Sequence, residues 1–361
     1  MVRVLCITTK LCTGGVQTFL VSYAKQLVKY DVLLDFVVQT TEPQLYDEEL
    51  IKLGCRIFPV RSYQSSKFYF LKDIYKLLKK YPEYKIVHAH LNYVNVFPLF
   101  AAYLAKCPIR ISHSHSNYKP SGLYARIARI FARNLINFFA TDYWTCSLAS
   151  ARWLYGNKDN VIVIRNSVDY NQYSYNQITR DYYRKLLKIN DNQSVWIHVG
   201  SYNHVKNHTF LLKLFKEYLT VDDNVKLLLC GDGTLKDSID REIISLGIQE
   251  NVIQLGNKKN VSDYLNVADV FVFPSLFEGV PFSLIEAQAS GLPIVVSSAI
   301  SDEALFGNYY KCKTFDIQEW SRIISQIKYK DRICQHHLLI SSKFDLEEES
   351  RCLANLYRSK L

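Results

Sequence analysis

Two doubly wound α/β domains are the fold class this sequence predicts, each a parallel sheet with helices on both faces. Short apolar runs rich in β-formers, bounded by turn residues, alternate with longer helix-periodic stretches from end to end. The runs are continuous in apolarity, as strands buried on both faces are. A chain of 361 residues also exceeds what one hydrophobic core organises.

In the first half the expected strands are residues 2–8, 32–38, 56–60, 85–88 and 109–113, closed by 161–165. A helix is expected from Val16 to about Lys29, and another from Gly122 to Phe139. Asn166-Ser167-Val168-Asp169 is turn chemistry, and the polar, aperiodic stretch behind it reads as a linker. The second half then offers strands 195–199, 226–230, 252–255, 270–273 and 293–297. The expected domains are therefore 1–170 and 171–344. Asp345-Leu346-Glu347-Glu348 resembles a capping box opening a terminal helix, 345–361, that crosses back to the first domain. No repeat or low-complexity tract interrupts this plan.

Composition narrows the function. A hydrophobic content of 48% with 22% charged residues describes a folded protein. The formal net charge of +10 points to an anionic partner: a phosphorylated substrate, an anionic membrane surface or nucleic acid. Charge is the sole support for nucleic acid, which no binding signature accompanies, so no nucleic-acid partner is expected. No run approaches 18 apolar residues, and the N-terminal segment lacks a signal-peptide pattern, so a cytoplasmic protein without a membrane span is expected. The nine cysteines are scattered without CxxC pairs, which fits reduced thiols and no metal or disulfide framework.

The richest segment is Pro274-Ser275-Leu276-Phe277-Glu278-Gly279-Val280-Pro281-Phe282-Ser283-Leu284-Ile285-Glu286. A buried strand breaks at Pro274, crosses a Gly/Pro loop and enters a helix near Ser283 that stops at Gly291. Glu278 and Glu286 are thereby set at either end of a strand–loop–helix junction, beside the amides of a helix start. Oriented amides suit a diphosphate, and fixed carboxylates suit sugar hydroxyls. Gly14-Gly15 after the first strand reads either as a close approach of backbone to an anion or as a plain tight turn. Gly200 ends the first strand of the second domain, and Lys206 is delivered just before the next helix. There Lys206 neutralises a diphosphate or is an ordinary solvated lysine. Gly231-Asp232-Gly233 reads as a structural turn.

His88, His90, His113 and His115 fall at the carboxyl ends of two adjacent expected strands, the edge where open parallel sheets bind ligands. The HxH spacing invites a metal, but no cysteine or carboxylate pattern completes a ligand set. The preferred reading puts one histidine on a substrate cleft and the others in polar niches. In the helix 122–139, Arg126, Arg129 and Arg133 interleave with Leu123, Ile127, Ile130, Phe131, Leu135, Ile136 and Phe138. Such a helix lies on an anionic membrane or packs on its domain with a solvated arginine face.

Taken in order, these pieces resemble the retaining glycosyltransferases of family 4 over essentially the whole chain. The resemblance rests on Gly14-Gly15, His88-Ala89-His90, Ser112-His113-Ser114-His115, Ser147, Ile164-Arg165-Asn166-Ser167-Val168-Asp169 and above all the E-x7-E pattern of Glu278 and Glu286. It implies the GT-B fold, two Rossmann-like domains facing across a cleft. It also implies transfer of a hexosyl unit from a nucleotide-diphosphate sugar, by family habit a UDP-sugar. The acceptor implied is a lipid-linked saccharide in capsule or exopolysaccharide synthesis, with the enzyme peripheral on the inner membrane face. Glu278 would contact donor-sugar hydroxyls, Glu286 the ribose, Lys206 the phosphates, and His115, or less favourably His113, the donor sugar. Gly200, Ser201, Val280, Phe282, Ser283 and Leu284 would surround the diphosphate. No convincing Asp-x-Asp motif is present, so metal-independent transfer without a cofactor is expected. Ser201 stands where many members carry arginine, which leaves the clamp one cation fewer. The other readings are a non-hydrolysing sugar-nucleotide epimerase and a GT-B accessory subunit without catalysis.

Overall fold

A computed structural model describes residues 1–12, 14–115, 123–327, 332 and 336–361, without the side chains of residues 123–126 and 128. The chain forms two compact units, one of Met1–Ser167 with Leu346–Leu361, the other of Val168–Asp345. The division falls at Ser167 instead of residue 170 because Val168 already pairs with Asp345 and donates its N–H to Phe344 at 2.9 Å. The second unit's chain thus enters and leaves side by side.

Among the described residues the first unit holds seven strands: β1 (Val2–Ile7), β2 (Val32–Val38), β3 (Ile57–Pro59), β4 (Ile86–Ala89), β5 (Ile109–Ser114), β6 (Asp142–Thr145) and β7 (Val161–Val163). They run parallel in the order β3-β2-β1-β4-β5-β6-β7. The second unit holds β8 (Ser194–Val199), β9 (Val225–Cys230), β10 (Val252–Gly256), β11 (Val270–Phe273), β12 (Ile294–Ser297) and β13 (Tyr309–Cys312). Their order is β10-β9-β8-β11-β12-β13, again parallel. Each sheet is wound outward in both directions, and the direction reverses between β1 and β4 and between β8 and β11. Those two switch points open crevices at the carboxyl ends of the strands.

Strand interiors are almost fully buried, as two-sided coverage requires: Val4, Leu5, Cys6 and Ile7 of β1, and Val270, Phe271, Val272 and Phe273 of β11, have no exposed surface. Sequence reading missed two strands. Asp142-Tyr143-Trp144-Thr145 is short and opens on an acid, and Tyr309-Tyr310-Lys311-Cys312 is a partly exposed edge without an apolar run.

The helix after β1 spans Gly15–Leu27, then tightens to a 3-10 turn, Val28–Tyr30, that Asp31 stops in the left-handed region at φ 54°. Ser147 caps the helix Leu148–Tyr155 by accepting from the Ser150 N–H. The terminal helix Leu346–Lys360 packs in the first unit, where Lys360 pairs with Asp142 at 2.5 Å and Tyr357 is buried against the sheet.

The helix Leu123–Phe139 corrects an expectation. Its expected start at Gly122 and the Arg126 side chain lie outside the described residues. The Arg129 guanidinium lies over the Trp153 ring at 5.7 Å, and Arg133 packs beside Gly156. Ile127, Ile130, Phe131 and Phe138 are the exposed stripe instead, with Phe138 at 69%. A guanidinium stacks favourably on an aromatic face, so among the described side chains Arg129 and Arg133 are partly buried and the most exposed stripe is apolar.

Candidate active site

In the second unit, the loops after β8 and β11 meet at the switch point. The Leu276 N–H donates to the Val205 carbonyl at 2.8 Å, which ties the two together. Asn203 caps the turn His204–Lys206, its side chain accepting from the Lys206 N–H, and Asn207 follows in the left-handed region at φ 55°. That turn aims Lys206 back across the strand ends. Its Nζ sits 2.8 Å from Glu278 Oε1 and 4.4 Å from the centre of the Phe273 ring. Both members of the pair are largely buried, with side-chain exposures of 12% and 19%.

Glycines make room for this lysine. A Cβ on Gly200 would stand 2.9 Å from Lys206 Cε, so the stem lies directly on that backbone. Gly231 does more than turn. At φ +151° it brings its backbone so close that a Cβ would meet the Gly200 carbonyl oxygen at 2.1 Å. Gly233 presses equally on the Tyr202 backbone, with 2.6 Å to its oxygen. Ser201 is exposed beside them.

The helix Phe282–Ala289 begins at Pro281, and no side chain caps it. The Leu284 N–H already donates to the Pro281 carbonyl at 3.2 Å, and the first-turn amides ahead of it suit a phosphate. Val280, Phe282 and Leu284 are buried around that start, while Ser283 keeps partial exposure. One turn on, Glu286 is buried and accepts a hydrogen bond from the Tyr173 hydroxyl at 2.9 Å. Burial pushes its pKa up to about 7, against the opposing pull of that hydroxyl. Tyr173 escaped sequence reading because its short helix, Tyr170–Tyr173, lies in the stretch read as linker. The one signal was Asp169, whose carboxylate caps it by accepting from the Asn171 N–H.

In the first unit, Gly14 caps the helix Gly15–Leu27 at φ 149° and ψ 158°, and Gly15 opens it, exposed. Phe19 on that helix reaches the histidines, with its ring 5.2 Å from that of His115 and 5.1 Å from that of His113. Four imidazoles stand on the ends of neighbouring strands β4 and β5. His90 Nδ1 is 2.8 Å from His115 Nε2, and His88 Nε2 is 3.1 Å from His113 Nδ1. The chain continues inward from His88 Nδ1 to the Tyr357 hydroxyl at 2.7 Å. Asn92 holds the His115 backbone by accepting its N–H at 3.0 Å. Burial pulls all four histidines down, His115 to about 3, so the cluster is neutral at ordinary pH.

Comparison with known proteins decides the family. Residues 13–172 match the profile described as Glycosyltransferase Family 4, and residues 179–332 that of Glycosyl transferases group 1. EpsF of Bacillus subtilis is 32% identical over 308 residues, 83% of this chain and 80% of its own length. The chain belongs to glycosyltransferase family 4. This family 4 chain is also similar to the capsular polysaccharide biosynthesis glycosyltransferase CapH of Staphylococcus aureus, 26% identical over 100% of this chain and 99% of that one. The Escherichia coli UDP-Gal:alpha-D-GlcNAc-diphosphoundecaprenol alpha-1,3-galactosyltransferase is 29% identical over 66% of this chain and 64% of its own length. Among solved structures, Anabaena HepE in complex with UDP-glucose superposes with a TM-score of 0.82 over 99% of this chain and 100% of that one, at 19% identity. The apo lipopolysaccharide outer core galactosyltransferase WaaB gives 0.69 over 100% of both, at 17% identity. These likenesses establish the GT-B fold.

Among the described residues no helix is long and apolar enough to cross a membrane.

Proposed function

We propose that this glycosyltransferase moves a hexosyl unit from a UDP-sugar to a lipid-linked saccharide in surface polysaccharide synthesis, with retention at the anomeric carbon. The observation that carries this reading is the Lys206–Glu278 pair beside the uncapped helix Phe282–Ala289. An arriving diphosphate competes with Glu278 for the Lys206 ammonium and takes the amides of residues 282 and 283, ahead of the Leu284 N–H that already donates to the Pro281 carbonyl. Glu278, released from its cation, then accepts from the donor-sugar hydroxyls and stabilises positive charge developing at the anomeric carbon. Glu286 accepts from the ribose, with Tyr173 fixing its carboxylate. Each well-placed donor to the leaving group is worth roughly 3 kcal/mol in the transition state, which makes metal-independent transfer feasible. The departing diphosphate oxygen accepts the proton of the acceptor hydroxyl, so no dedicated protein base is needed. His115 supplies a neutral imidazole, donor or acceptor by tautomer, to the donor sugar.

A lipid-linked acceptor suits an enzyme lying on the inner membrane face. The apolar stripe of Ile127, Ile130, Phe131 and Phe138, on a chain of net charge +10, supports membrane contact through inserted side chains. CapH, a capsular polysaccharide biosynthesis glycosyltransferase, makes polymer synthesis the preferred setting, and the galactosyltransferase named for a diphosphoundecaprenol acceptor supports a lipid-linked one.

The test is transfer itself. Purified enzyme with a panel of UDP-sugars and undecaprenyl-diphosphate saccharide in EDTA should give a glycosylated lipid with the donor's anomeric configuration by NMR. Sugar-nucleotide turnover without any acceptor, yielding an epimer, would overturn the proposal in favour of epimerisation.

A further inference from the structure

Among the described residues, two buried histidine nitrogens of the first unit have no partner, and they belong to the same cluster. The two histidine pairs described above use His90 Nδ1 and His113 Nδ1, and leave His90 Nε2 and His113 Nε2 unbonded in the interior. Leaving such an atom unsatisfied is costly. With His115, these residues can each offer a nitrogen within 4.8 Å of the other two. We propose that His90, His113 and His115 form a binding site for one divalent transition-metal ion of the zinc type.

The chemistry fits such an ion. Neutral imidazole lone pairs are its ligands, and an all-nitrogen set without carboxylate selects zinc, cobalt, nickel or copper over magnesium or calcium. His113 already has the support expected of a metal-bound histidine, its other nitrogen held by His88, which Tyr357 holds in turn. His115 keeps partial exposure and gives the ion its way in. The His113 and His115 rings stack at 4.0 Å with planes 14° apart, so tetrahedral ligation at about 2.0–2.1 Å turns their nitrogens toward the ion on loading. The neighbouring triad of Cys6, His88 and His90 is the poorer site. Both His88 nitrogens are engaged there, and burial together with Asp35 holds the Cys6 thiol protonated. If His115 serves the donor sugar as proposed, the ion is an inhibitor, because it takes that imidazole away.

Metal-stripped protein titrated with Co²⁺ alone is the test. One equivalent should give the visible bands of a tetrahedral nitrogen site, and Zn²⁺ should bleach them. His90→Gln and His113→Gln should each remove the bands. Should these buried variants fail to fold by circular dichroism, His115→Asn at the exposed edge should weaken Co²⁺ binding at least tenfold. Absence of visible bands in the wild type, or unchanged bands in the folded variants, would overturn the proposal. This readout needs no turnover, so its failure is separate from failure of the transfer reading.

Discussion

Lys206 and Glu278, 72 residues apart in sequence, form an ion pair at 2.8 Å between the loops that follow β8 and β11. The pair spans the switch point of the second sheet, where a parallel fold leaves room for a ligand. On the proposed reading, the cation for phosphate and the carboxylate for sugar satisfy each other without donor, and binding would begin as an exchange of partners.

That exchange predicts coupling. Lys206→Ala leaves a largely buried carboxylate without its cation, and Glu278→Gln leaves the ammonium without its counter-charge, facing a neutral amide and the Phe273 ring. Removing both should cost less than the sum of the single changes, by roughly 1–3 kcal/mol in a double-mutant cycle read by urea denaturation. Strict additivity would mean the pair contributes nothing.

Glu286 predicts a pH dependence of opposite sign for stability and for donor binding. Its folded pKa of about 7 lies above the ordinary value of 4.5, so its contribution to stability is full below 4.5 and is lost as pH rises from there through the folded value. Ribose hydroxyls donate best to the ionised carboxylate, so donor affinity should rise over the same window. Titration calorimetry with UDP should show affinity increasing roughly tenfold between pH 6 and 8, and Glu286→Gln should flatten the curve.

Close glycine packing predicts a steep difference between two alanine substitutions. At Gly231, where a Cβ would meet the Gly200 oxygen at 2.1 Å, alanine should cost about 3 kcal/mol or more and abolish UDP binding. At Gly247, φ is +65° but no atom lies within 4 Å of the would-be Cβ, so alanine should cost only about 1–2 kcal/mol of backbone strain and spare binding. Thermal melts with and without UDP distinguish the two.

The apolar stripe predicts how the protein meets a bilayer. Phe131→Asp with Phe138→Asp should reduce flotation with anionic liposomes several-fold while leaving the melting temperature nearly unchanged, since both side chains are exposed. Arg129→Gln should matter less to flotation, because that guanidinium lies on Trp153. The reverse ranking would return the helix to a purely electrostatic role.

Most strands were legible because a doubly wound sheet writes each buried strand as a continuous apolar run, and Val270–Phe273 is the plainest case. Glu278, Glu286 and Lys206 could be singled out because each sits at a strand end or helix start whose turn residues are local in sequence. Their partners were not. Tyr173 meets Glu286 across 113 residues of chain, and His88 meets Tyr357 across 269. No periodicity encodes such contacts. The placement of Arg129 and Arg133 was not legible for the same reason, since Trp153 and Gly156, outside that helix, decide it.

Turnover of Glu278→Gln is the most direct measurement of the central claim. With a UDP-sugar and its lipid-linked acceptor, kcat should fall about a hundredfold or more, while UDP still binds and the fold survives. A variant that transfers sugar at nearly the wild-type rate would contradict the assignment of Glu278 to the reacting sugar.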